Sequence, residues 1–243
     1  MLYRMLHSNG AFWLMVVGLW IASQVFAYNL KFVFAPFHYL ATWAHELGHG
    51  LGAVLGGGKF NNMLITQHYG GLAFSEYPSD FSYWLSVVTG LIGPSLAGFF
   101  VIAFGRRFKK ARIVLWVLTV LLVLTALFFS KDMFTRGVTL GLAVPIGAVA
   151  YWGSVPVRSL FTQIIGITLC LNAIAGFDYF FFKSGSLPEG LSLADTQILA
   201  KYFWGNQLFW ALFISALSLL ILYFAGRVAM IEQAKEDESG GAP

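Results

Sequence analysis

Along its length the chain alternates long apolar runs with short polar breaks. The apolar runs cover residues 11–30, 33–57, 80–104, 113–129, 137–152, 159–182 and 203–225. A helix needs about 20 apolar residues to cross about 30 Å of hydrocarbon, so the pattern predicts about seven transmembrane helices. The run 137–152 is the shortest and stops before Pro156 and Arg158. One segment breaks the pattern. Phe60 to Tyr77 mixes β-branched and aromatic residues with polar ones, follows the helix-stopping Gly56-Gly57-Gly58, and predicts a β-hairpin turning at Gly70-Gly71. Ser192, with Asp195 three residues on, predicts a helix start before the last span. The expected fold is all-α, a polytopic membrane protein with a small β-hairpin after the second helix. Residues 1–230 read as one domain and 231–243 as an acidic, Gly-rich, disordered tail.

Composition strengthens this picture. Hydrophobic residues make up 58% of the 243 and charged residues 11%, where a soluble domain carries about 25%. The one cysteine, Cys170, excludes a disulfide framework. The net charge of +4 gathers at span ends, which is membrane topology rather than nucleic-acid binding. Its densest cluster, Arg106–Arg112, is expected in the cytoplasm. Alternation from that loop puts the N-terminus outside and Lys31, Arg158 and Arg227 inside. Val25-Phe26-Ala27 has the form of a signal-peptidase site, but the apolar run continues past it and the next span follows at once.

The chemistry sits in the second span, in Trp43-Ala44-His45-Glu46-Leu47-Gly48-His49-Gly50. This is H-E-x-x-H. On a helix His45 and His49 share a face about one turn apart, the spacing at which two imidazoles bind one zinc ion. Glu46 sits at the flank, where its carboxylate can take a proton from water on the metal. In a soluble helix such histidines can simply face water. In an apolar span that explanation weakens, because buried ionisable groups there mark functional sites by default. Gly48, Gly52 and Gly56 recur every fourth residue near the same face. They predict a lane along which another backbone can lie, through ordinary helix packing or beside the metal. A hairpin edge could pair with an extended peptide, with Gly70, Gly71 and Asn172 as candidate substrate contacts; a plain surface loop is the alternative.

A catalytic zinc takes three protein ligands and keeps a fourth position open. His38 lies two turns before His45, too far to join without a bend, and His68 falls in the hairpin. Asp178 and Asp195 are the acids in or beside later apolar stretches, and either could be the third ligand.

These residues resemble the site-2 proteases, zinc-dependent intramembrane metalloproteases. The resemblance spans roughly residues 35–200 and rests on His45, Glu46 and His49, the glycine-rich helix end, the Gly-Gly hairpin and the glycine–proline helix of residues 90–98. In that family an aspartate on a later helix is the third ligand, usually as Asp-Gly. Neither Asp178 nor Asp195 precedes a glycine, but Leu193-Ala194-Asp195-Thr196 is similar to the Ser-Asp-Ala of a compact bacterial branch. The resemblance therefore implies one zinc on His45, His49 and Asp195, with Asp178 as second choice, and Glu46 as general base. It further implies transmembrane protein substrates, a multi-pass protein of the bacterial cytoplasmic membrane, and no PDZ-like insertion within this chain. Two other classes fit the residues: an inactive membrane scaffold of the same fold, and a metal or solute transporter. A transporter would usually show inverted repeats, which the halves of this chain do not.

Overall fold

The computed structural model describes residues 9–25, 31–105, 110–172 and 194–238. Its elements are α1 (Asn9–Val25), α2 (Lys31–Leu55), β1 (Lys59–Ile65), β2 (Gly71–Glu76), α3 (Asp80–Gly105), α4 (Ala111–Phe128), α5 (Met133–Trp152), α6 (Val155–Asn172), α7 (Asp195–Tyr202) and α8 (Gln207–Glu238). Five helices, α3 to α6 and α8, are long and apolar enough to cross a membrane. Of the other two long helices, α1 has 17 residues, and α2 has 25 but carries the polar motif. Outward positions such as Leu121, Val144 and Phe213 stay apolar, as lipid-facing surfaces require.

Two helix ends are set by local chemistry. At the end of α2, Gly57 adopts φ +84°, the Gly58 N–H donates to the Ala53 carbonyl at 2.8 Å and the Gly57 N–H to Val54 at 3.0 Å. These are the two bonds of a Schellman stop. Helix α5 begins at Met133, earlier than the apolar pattern suggests, because the Asp132 carboxylate accepts from the Thr135 N–H at 2.8 Å and caps the first turn. The last helix overrides an expectation. It runs to Glu238, so the tail expected to be disordered from residue 231 is helical over its first eight residues. Once a membrane helix supplies the nucleus, Glu, Gln, Ala and Lys extend it cheaply. Residues 106–109, within the basic cluster, and residues 173–193, with Asp178 and Ser192, lie outside the described residues.

The centre of the bundle is the α2–α3 pair. A Cβ on Gly48 would stand 3.0 Å from the Thr89 carbonyl carbon, and one on Gly56 would stand 2.6 Å from the Ser82 Cα. The glycine lane is therefore filled by α3. The hydroxyls of Ser86 and Thr89 cross the contact and donate to the carbonyls of His49 at 2.9 Å and Gly48 at 2.8 Å. Small residues bring the backbones close, and hydroxyls bind them where no water competes. Helix α8 joins the far side of α3 through a buried Ser95–Ser218 hydrogen bond of 2.8 Å. Helices α4, α5 and α6 close the other flank around Leu115, Leu122, Ile146 and Ile165.

The hairpin lies along α2. Its strands are antiparallel, with Met63 opposite Ala73 and Ile65 opposite Gly71. The turn differs from expectation. It spans Gln67 to Gly70, closed by Thr66 N–H to Gly70 O at 2.8 Å, and Tyr69 takes the left-handed conformation at φ 62°. Gly71 instead opens β2. The Thr42 hydroxyl donates to the Tyr69 carbonyl at 2.6 Å and the Tyr69 ring rests 4.7 Å from that of Tyr39, which together hold this unfavourable turn in place.

Candidate metal centre

Helix α2 presents His45 and His49 from one face, and the fold brings Asp195 to them across 146 residues. Asp195 Oδ2 lies 2.9 Å from His45 Nε2 and 3.1 Å from His49 Nε2, and the two Nε2 atoms are 3.1 Å apart. Tetrahedral zinc with bonds of about 2.0–2.1 Å spaces its ligand atoms about 3.3–3.4 Å apart. The three atoms thus form a triangle that a few tenths of an ångström of side-chain rotation would open to zinc geometry. Two nitrogens and one carboxylate oxygen are also a zinc donor set, and one position is left for substrate or water. Among the described residues this is the group of His, Cys, Asp and Glu side chains able to hold a metal ion.

Each ligand is held from behind. Asp195 is the first residue of α7, where the helix dipole favours a carboxylate. That short helix is seated by Leu199, which is wholly buried against Val87 and Trp210. Its start is fixed by the Gln197 side chain, which accepts from the Ala194 N–H at 3.1 Å. The imidazoles are backed by Gly90 of α3. A Cβ there would lie 2.6 Å from His49 Cδ2 and closer still to Cε1 and Nε2. Packing of this kind limits how the His49 ring can turn.

Glu46 leaves α2 beside the triangle and is 3% exposed. Gly71 of β2 packs against it, so closely that a Cβ there would lie 2.6 Å from Glu46 Cγ. The register leaves the neighbouring Ala73 amide free of the ladder. Met63 donates its N–H to the Phe129 carbonyl at 2.8 Å, away from β2, so its partner Ala73 also points its amide away from the ladder. The same holds for Ile65, whose N–H donates to Thr135 Oγ1 at 2.7 Å, and for its partner Gly71. The outer edge of β2 therefore runs past Glu46.

Other sequence candidates fall elsewhere. Asn172 ends the described part of α6 with Nδ2 3.2 Å from His38 Nδ1, away from the three ligand atoms. His68 is exposed in the hairpin turn, and Gly70 belongs to that turn rather than to the strand edge. Asp178 lies outside the described residues. Sequence reasoning passed over Gly90 as a site residue. Its signal was the row of small residues Ser82, Ser86, Gly90 and Pro94 on one face of α3, but what that face touches is set only by packing.

No curated protein and no solved structure matched the chain. The Peptidase M50B-like family matches residues 11–225, which include His45, Glu46, His49, Asp195, the hairpin and most of the helices around them. On that match, this integral membrane protein belongs to the Peptidase M50B-like family, within the site-2 proteases.

Proposed function

We propose that the protein is an intramembrane zinc endopeptidase that cleaves transmembrane protein substrates. The observation that carries this reading is the convergence of His45, His49 and Asp195 to mutual distances of 2.9–3.1 Å beside the buried carboxylate of Glu46. A transporter or scaffold has no use for a proton acceptor set off the ligand triangle. His45, His49 and Asp195 would hold the zinc. When bound, zinc supplies Lewis-acid chemistry, acidifying water and polarising a peptide carbonyl.

The chain's own residues do the rest. Glu46 takes a proton from the attacking water as the new C–O bond forms, and returns it to the departing amide nitrogen as the C–N bond breaks. A helical substrate hides its carbonyls in internal hydrogen bonds and must unwind first. The outward amides of Gly71 and Ala73 on the β2 edge offer the unwound stretch a strand to pair with. Seven membrane crossings follow if α1 and α2 also span. The basic 106–112 loop then lies in the cytoplasm by charge.

The test is Glu46→Gln, which keeps the shape but removes the base. Cleavage of a single-span substrate in liposomes is expected to fall by about 10²–10⁴-fold while zinc content stays at the parental level. Cleavage at the parental rate refutes the proposal.

A further inference from the structure

Gly71 has no backbone reason to be glycine. Among the described glycines the left-handed ones are Gly57 and Gly205, so Gly71 sits where an L-residue is allowed. In a strand, glycine is a weak choice unless something approaches closely. Here the approach is Glu46. A Cβ built on Gly71 would lie 2.6 Å from Glu46 Cγ and 2.7 Å from Cδ, and closer still to Oε1. Real Cβ atoms essentially never come within 3.0 Å of another group.

The hairpin cannot back away to make room. Its inner strand is tied by Met63 N–H to Phe129 O at 2.8 Å and by Ile65 N–H to Thr135 Oγ1 at 2.7 Å. Its turn is tied by Thr42 to Tyr69 O at 2.6 Å. The flexible partner is the glutamate side chain, so a methyl group on Gly71 would displace the carboxylate itself.

We infer that Gly71 is a positioning residue for Glu46: the bare Cα of the β2 edge is the wall that fixes the carboxylate beside the metal ligands. The catalytic meaning of that wall rests on the proposed function, whereas the contact itself does not. Gly71 thus acts on the base before any role as a substrate contact.

The experiment compares the parent, Gly71→Ala, Glu46→Ala and the double variant in one detergent, reading the unfolding midpoint, and kcat and KM where turnover is present. Overpacking should lower the midpoint of Gly71→Ala by on the order of 5 °C relative to the parent. In the Glu46→Ala background, where the clashing atoms are gone, the same substitution should cost about 1 °C or less, a coupling that only contacting residues show. Should Gly71→Ala fail to fold alone, recovery of folding in the double variant is the same result. In turnover, Gly71→Ala should lower kcat at least about tenfold with KM within about twofold. Equal destabilisation in both backgrounds overturns the inference, as does a raised KM with unchanged kcat, which would make Gly71 a substrate contact. If the parent cleaves nothing, the proposed function fails and the stability cycle still decides the contact.

Discussion

Replacing Gly90 by alanine separates helix stability from metal binding, because the two should move in opposite directions. In a helix interior alanine is better than glycine by about 1 kcal/mol, so α3 alone gains. The added Cβ, however, falls 2.6 Å from His49 Cδ2, where ordinary contact begins at 3.4 Å. The ring must retreat by more than about 0.8 Å, several times the ~0.2 Å within which metal–ligand distances are held. Moving α3 instead would stretch Ser86 to His49 O, now 2.9 Å, and Thr89 to Gly48 O, now 2.8 Å. Loss of a supporting contact typically costs 10–100-fold in metal affinity. Here the ligand itself is pushed, so about 100-fold, or about 2.7 kcal/mol, is expected. Zinc affinity measured by chelator competition in detergent provides the number, and the visible spectrum of the cobalt-substituted protein reports the ligand geometry. Parental zinc affinity with an unchanged cobalt spectrum would refute the idea that Gly90 sets the His49 ring.

Two further outcomes follow from the same geometry. Asp195→Ala should lower zinc occupancy about as much as His45→Ala or His49→Ala, because all three supply one atom of the triangle, while Asp178→Ala should leave occupancy near parental; the reverse order in metal analysis would move the third ligand to Asp178. A single cysteine introduced between residues 106 and 112, in a Cys170→Ser background, should resist a membrane-impermeant thiol reagent in intact cells, and ready labelling from outside would invert the proposed orientation.

Much of the site could be read from three letters in an apolar run. His45 and His49 share a face by helical period alone, and burial in a membrane-length helix makes their chemistry functional by default. The stop at Gly56-Gly57-Gly58 and the hairpin after it were equally local, since a Schellman stop and alternating β-branched residues need no distant partner. The hairpin turns one residue earlier than its glycine pair suggests, for a physical reason. Glycine pairs signal turns because they accept unusual dihedrals, yet Tyr69 takes that role here, and Gly71 is glycine because Glu46 lies against it. The same ambiguity covered the lane of Gly48, Gly52 and Gly56, which is packed by α3.

What the sequence alone determined was everything carried by period and composition: apolar spans, a two-histidine helical face, and a carboxylate at its flank. Only the tertiary structure brings Asp195 to the two histidines. Leu199 buries α7 against Val87 and Trp210, and Asp195 then stands 3.1 Å from His49, 146 positions away. It also sets Gly90 and Gly71, from two neighbours of α2, against His49 and Glu46 respectively. A missing side chain has no periodic signature. Its meaning is the group that occupies the space it leaves, and that group belongs to another element of the fold.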